Sequence, residues 1–349
     1  MNQWILQCRP GFENECLAEI ITKSPQLAQQ GTLGHEGGWL AVPLTSPLSP
    51  WQAAESIPYR QLAFTRQSFA AIAWLQELTA GDRLSPLQGV LAQLTMPVQD
   101  IWLETPDTNP GKGLQALARA LEPGLRQFMQ EKNLLSADSP YRLHLLVLTS
   151  TSILLGVSHR DHSSPNPMGI PRLRLAKEAP SRAALKLEEA VHHFLSPEER
   201  KKALRPGLHA VDLGAAPGGW SWYLCQQGVK VIAVDNGPLQ PALAASPLIT
   251  HLREDGFAYT PRRPVDWLCC DMVEQPRKVA ALVGRWFAAG HCRHAIFNLK
   301  MPMKKRWQEL QLCETLLQKS VQKPGKTLHI SFKQLYHDRE EVTGYVHIG

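Results

Sequence analysis

Residues 209–224 run HAVDLGAAPGGWSWYL. The opening residues are an apolar run of strand length that ends at Asp212; a glycine-rich turn follows, and the remainder has the composition of a helix. Strand, tight turn and helix in so short a span is the start of a βαβ unit. Pro217 suits the first turn of that helix, where its missing N–H would have no helical partner. Gly214, Gly218 and Gly219 remove side chains where backbone must approach a ligand closely. A nucleotide-type cofactor lying across the strand end is therefore expected. A dinucleotide site would want G-x-G-x-x-G, and Ala216 stands where the second glycine belongs, which disfavours a dehydrogenase.

The alternation continues downstream and upstream. Helices are expected over 181–195, 218–227, 276–289 and 305–322, and strands over 208–213, 229–234, 249–252, 265–270, 293–299 and 326–333. This is the pattern of a Rossmann-like, doubly wound, mostly parallel sheet, with ligands at the carboxyl ends of its strands. Asp235, sixteen residues after Gly219, closes VKVIAVD and can accept hydrogen bonds from both hydroxyls of an adenosine ribose. Asp255, in HLREDGFAY, is either a contact to the adenine edge or a plain Asp-Gly turn.

Four ionisable residues fall at or near such strand ends. Asp271 ends WLCCD, Lys300 ends HAIFNLK, Lys186 lies in SRAALKLEE, and Glu341 precedes an apolar strand with Glu340 beside it. A lysine directly after a buried strand is costly unless something stabilises or uses it. A ribose 2′-hydroxyl attacking the methyl of a sulfonium must lose its proton, and lysine can take it only if its pKa is depressed by burial or by a second ammonium. Lys186 beside Lys300 is expected to supply that depression, with Asp271 and Glu341 orienting the pair. General-base assistance of this kind contributes roughly 10²- to 10⁴-fold. No metal is signalled.

The first 160 or so residues read as mixed α/β. Strands are expected at Trp4–Cys8, 68–75 and 143–149, and helices through Phe12–Ile21 and over 114–132, where Leu114, Leu117, Leu121, Leu125 and Phe128 share a face. Pro and Ser mark 43–50 as a loop. Residues 159–180, HRDHSSPNPMGIPRLRLAKEAP, lose all periodicity. Boundaries follow at 1–60, 61–165, a linker over 166–180, and 181–349; His159 and His162 are read as exposed.

A chain of 349 residues exceeds one compact core. Its 44% hydrophobic and 19% charged residues are ordinary globular values, and the net charge of +6 permits a polyanionic partner. Seven scattered cysteines without a C-x-x-C pair suggest neither a disulfide framework nor a zinc site. The N-terminus lacks the marks of a signal peptide and no run approaches 18 apolar residues, so a cytoplasmic protein without a membrane partner is expected. Arg172, Arg174, Lys177, Arg182, Lys186, Arg200, Lys201, Lys202 and Arg205 form a basic stretch partly neutralised by Glu188, Glu189, Glu198 and Glu199, and Lys304, Lys305 and Arg306 form another. These suit RNA phosphates. Trp220, Trp222 and Trp307 are read as packing residues.

Residues 181–345 resemble the FtsJ-like RNA ribose 2′-O-methyltransferases: S-R-A-x-x-K-L, D-L-G-A-A-P-G-G-W, the strand-end acid, C-D-M, L-K and R-E-E-V recur in order. The resemblance implies a Lys-Asp-Lys-Glu tetrad at Lys186, Asp271, Lys300 and Glu341, with Lys300 as proton acceptor. It also implies S-adenosyl-L-methionine as cofactor, contacted by Ser181, Ala216, Pro217, Gly218, Gly219, Trp220, Asp235, Asp255 and Asp271. C-R-P-G-F-E at Cys8–Glu13 and Y-H-D-R-E-E-V at Tyr336–Val342 extend the likeness to bacterial members acting on 23S rRNA. These imply a ferredoxin-like unit over 1–60, a THUMP-type RNA-binding region over 61–165, a monomer, and a target cytidine in the peptidyl-transferase region of 23S rRNA or of a large-subunit precursor. The competing readings are a non-catalytic RNA-binding module and a methyltransferase for another substrate. Base and amine methyltransferases often place Pro-Pro and an aromatic after the strand-end acid, whereas Asp271 is followed by Met272-Val273.

Overall fold

The computed structural model describes residues 2–25, 32–34, 37–44, 49–321 and 327–349. Within the loop expected over 43–50, residues 45–48 lie outside the described residues, as do 326 and 322 at two expected element ends. The chain divides into two compact units, Met1–Pro171 and Arg172–Gly349.

The first unit is built on strands β1 (Gln3–Gln7), β2 (Thr32–Gly34), β3 (Trp39–Pro43), β4 (Gln67–Leu75), β5 (Asp100–Glu104), β6 (Tyr141–Thr149) and β7 (Ser152–His159). They form one sheet in the order β2-β3-β1-β4-β7-β6-β5. All its pairings are antiparallel except β5 with β6. Helix Gln115–Glu131 buries Ala118, Leu121, Leu125 and Met129. That three-and-four spacing is the apolar stripe of an amphipathic helix, packed with Leu143, Leu145, Val147 and Leu155 of the sheet. The periodicity break expected from 159 begins later than expected at its near end, because His159 still pairs with Tyr141 as the last residue of β7.

The second unit holds β8 (His209–Leu213), β9 (Lys230–Val234), β10 (Ile249–Leu252), β11 (Val265–Cys270), β12 (Cys292–Lys300), β13 (Leu328–Lys333) and β14 (Glu341–Ile348). Their order is β10-β9-β8-β11-β12-β14-β13. The chain winds outward from β8 to β10, then returns to β11 on the other side of β8. That reversal is the topological switch point, where the crevice beyond the strands' carboxyl ends receives ligands. Helix Pro276–Ala289 shows how the faces are covered: it buries Val279, Val283, Trp286 and Phe287 and stops at Gly290, whose φ of 73° is left-handed.

The far edge departs from a parallel pattern. Only a short turn separates β13 from β14, too short for a crossover helix, so β14 returns antiparallel and inserts between β12 and β13. Gly344 lies opposite Phe297 there, and a Cβ on it would fall 2.4 Å from the Phe297 ring. Gly344→Val should therefore destabilise the second unit by about 1–3 kcal/mol through overpacking; a denaturation midpoint equal to that of the parent chain would refute this packing.

Candidate active site

Because β14 runs against β12, its first residue, Glu341, is the register partner of the last residue of β12, Lys300. Asp271 follows β11, the other neighbour of β12. Helix Ala183–Phe194 brings Lys186 in from above the sheet. The four groups meet. Lys300 Nζ lies 2.7 Å from Asp271 Oδ1 and 3.1 Å from Glu341 Oε1. Lys186 Nζ lies 3.1 Å from the same Glu341 oxygen and 4.0 Å from Asp271 Oδ2. Glu340 instead points to Arg306 at 2.8 Å and is 60% exposed, so the geometry selects Glu341.

The electrostatics correct one expectation. Burial favours the neutral amine of Lys300, but Asp271 and Glu341 outweigh it and hold its pKa above the ordinary lysine value. The expected net depression is absent in the free site, where attraction and hydrogen bonds from the two carboxylates prevail. Burial likewise pushes Glu341 up, yet the Arg339 N–H at 2.6 Å, Lys186 and Lys300 together draw its carboxyl down to about 2.

Several residues that fix this cluster carried no sequence signal. Asn298 donates to Asp271 Oδ1 at 3.0 Å and accepts at its own oxygen from Thr343, 2.8 Å away. Thr343 also lies 2.8 Å from buried Asp338, whose carboxyl burial raises to about 8. Glu189, read above as a surface neutraliser, is buried and accepts from the Tyr336 and His337 backbone N–H groups at 2.8 and 2.9 Å. It shares a helix face with Lys186, three residues earlier. One helix thus supplies a site ammonium and anchors the turn that delivers Glu341.

At the switch point, Asp235 accepts from the backbone N–H groups of Ala216 at 3.0 Å and Gly237 at 2.7 Å, one on each oxygen. Each oxygen keeps a further lone pair for a ribose hydroxyl. Asp255 is exposed and caps its own turn through Phe257 N–H at 2.9 Å, the plainer of its two readings. Pro217 precedes the helix rather than opening it, because Gly219–Gln226 starts after Gly218, whose φ of 112° is left-handed. Gly219 is required by the protein itself: a Cβ there would sit 2.6 Å from Ser181 Oγ and 3.0 Å from Ala184 N. The Trp220 ring is in the core with Leu187, Ala190 and Trp267, and Trp307 is buried. Trp220 can therefore meet a ligand only through its backbone.

Asp212, at the penultimate position of β8, carries no sequence signal beyond marking the strand end. It is 1% exposed; Ser221 donates to one oxygen at 2.7 Å and the other has no hydrogen-bond partner among the described residues. Burial raises its carboxyl to about 7, with Asp271 and Asp235 adding repulsion against the help of Ser221. An under-satisfied acid among further acids is a place for positive charge.

Residues 179–344 match the FtsJ-like methyltransferase family, 82–159 the N-terminal region of ribosomal RNA large subunit methyltransferase M, and 1–69 its ferredoxin-like domain. The fold and site thus define an S-adenosylmethionine-dependent methyltransferase of the FtsJ-like class. Relatives bearing the name ribosomal RNA large subunit methyltransferase M are 46% identical in Cellvibrio japonicus, over all of both chains, and 45% identical in Methylococcus capsulatus, over 99% of this chain and 97% of that one. The relative from Edwardsiella ictaluri is 43% identical over 99% of this chain and 94% of its own. The chain belongs to the ribosomal RNA large subunit methyltransferase M family.

The residues present fit the cofactor: each Asp235 oxygen accepts one backbone N–H and keeps acceptor capacity for a ribose hydroxyl. Two outcomes are expected. Asp235→Ala should weaken cofactor binding at least tenfold by calorimetry. Cofactor binding near pH 7 should release a proton as Asp212 ionises beside a cation, so affinity should fall as pH drops below about 7. Titrations in buffers of different ionisation enthalpy should show that release in the parent chain and its loss in Asp212→Asn; equal heats throughout would refute it.

Proposed function

We propose that this chain transfers the methyl group of S-adenosylmethionine to a ribose 2′-hydroxyl of 23S rRNA, with Lys186, Asp271, Lys300 and Glu341 as the catalytic tetrad. The single observation that supports this best is the closed contact of two ammonium groups and two carboxylates at the switch-point end of the sheet. The relatives' names support rRNA as substrate, and the family resemblance supports a cytidine of the peptidyl-transferase region, on free rRNA or a large-subunit precursor. Ser181, Ala216, Pro217, Gly218, Gly219, Trp220, Asp235, Asp255 and Asp271 are proposed to hold the cofactor, Trp220 through its backbone.

When bound, the cofactor supplies an electrophilic methyl on a sulfonium. Lys300 is held as an ammonium in the free site and would have to pass its proton to solvent water, to which its side chain is partly exposed, before it could accept another. A further cation brought close to Asp271 would weaken that carboxylate's hold on Lys300. Burial, the largest single influence on Lys300, then favours the amine. Lys300 Nζ would then take the hydroxyl proton, leaving the oxygen to receive the methyl group that the cofactor would supply. Lys186 keeps Glu341 charged and turned toward Lys300, and Asn298 fixes Asp271. Alignment of oxygen, methyl and sulfur supplies the remainder of the acceleration.

In the same proposal residues 1–60 and 61–165 form the ferredoxin-like and THUMP-type RNA-binding parts, 166–180 a linker and 181–349 the catalytic domain. Both N-terminal parts share one sheet through the β1–β4 pairing. No helix among the described residues is long and apolar enough to cross a membrane; that the enzyme is cytoplasmic and monomeric belongs to the same proposal. Most of the basic residues expected to meet phosphate, among them Arg172, Arg174, Lys177, Arg182, Lys201, Lys202, Lys304 and Lys305, are exposed. The test is tritium transfer from labelled S-adenosylmethionine into rRNA lacking the modification, followed by nucleoside analysis. Label should appear as 2′-O-methylcytidine. Lys300→Ala should reduce transfer by at least 10³-fold with cofactor affinity within about twofold; retained turnover would remove Lys300 as the base.

A further inference from the structure

The first unit contains a cleft that the methyl-transfer site does not use. It has a cavity volume of about 90 Å³ and lies between helix Pro50–Ser56 and the face of the sheet that carries Ser68, Tyr141 and His159. That is room for several waters.

Its walls are rings. Trp51 meets Tyr141 edge to face at 5.5 Å between centroids, Tyr141 meets His159 at 5.5 Å, and His159 meets His162 at 5.2 Å. The edge chemistry is mixed. Ser68 is a lining residue, 1% exposed, and its buried hydroxyl has no hydrogen-bond partner among the described residues. A buried hydroxyl left in that state is destabilising unless a polar occupant satisfies it. His159 Nδ1 accepts from the Asp161 N–H at 3.2 Å, so in the neutral ring the proton sits on Nε2. Glu55 places a carboxylate on the same lining.

The cleft therefore offers aromatic surface together with hydroxyl and imidazole donors and a carboxylate acceptor. An unpaired nucleobase has the matching form: a flat π face and an edge that both donates and accepts. We infer that this cleft binds one unpaired base of the RNA substrate, a reading that rests on the proposed action on rRNA and names a second point of attachment for it. His159 and His162, expected as exposed linker residues, are half-buried parts of the cleft. Glu55 favours a base with an exocyclic amino group, since a carboxylate accepts from such a group and repels a carbonyl edge.

The test uses the full chain and a short single-stranded RNA carrying 2-aminopurine, whose fluorescence is quenched by stacking. Quenching on binding is expected, with affinity reduced about tenfold in the double variant His159→Ala/His162→Ala, which leaves the apolar core intact. Ser68→Ala should reduce it about threefold. Cofactor affinity and melting temperature, measured alongside, should match the parent chain. Absence of quenching in the parent chain, or equal RNA affinity in the double variant, would overturn the assignment; so would preferential binding of an unstructured peptide at the cleft.

The two proposals fail separately. Lys300→Ala should bind and quench the probe like the parent chain. A parent chain that quenches the probe but makes no 2′-O-methylated nucleoside refutes the reaction and leaves the cleft. Methylation with no quenching does the reverse.

Discussion

One strand running backwards assembles the charged cluster of the second unit. In a wholly parallel sheet the start of each strand lies at the end opposite the ligand crevice. Since β14 is antiparallel to β12, its first residue meets the last residue of its neighbour, and Glu341 lands beside Lys300. Asp271 arrives from the parallel side and Lys186 from the helix above, so four charges drawn from distant parts of the chain share one small volume.

Such a cluster would be costly without compensation, because each charge has left much of its water. The compensation is mutual: each ammonium is close to both carboxylates, and Asp271 and Glu341 accept additional hydrogen bonds from Asn298 and from the Arg339 backbone. The result is a free site biased toward the charged form of Lys300. That bias comes from Asp271 and Glu341, whose attraction and hydrogen bonds outweigh the burial that would otherwise favour the neutral amine.

The supporting residues show why the site is rigid. Buried Glu189 ties the 336–337 backbone to the helix that bears Lys186, and Asp338, Thr343 and Asn298 form a chain of hydrogen bonds ending at Asp271. Gly344, two residues along from Val342, leaves the space that the Phe297 ring occupies. Displacement of any one of these moves a charged group whose partners lie within about 3 Å.

The alternation of apolar runs and amphipathic segments was enough to read the doubly wound domain, its strand ends and the four ionisable residues, because period and strand length are local properties. So was the cofactor loop, since strand, glycine turn and helix are contiguous. What the linear pattern could not hold was anything that depends on two distant segments meeting. The reversal of β14, the choice of Glu341 over Glu340, the burial of Glu189, the unsatisfied oxygen of Asp212 and the raised pKa of Lys300 all arise from neighbours supplied by other strands and helices. The sheet's packing, through desolvation and close charge pairing, decided those; a residue's type alone does not fix its ionisation or its partner.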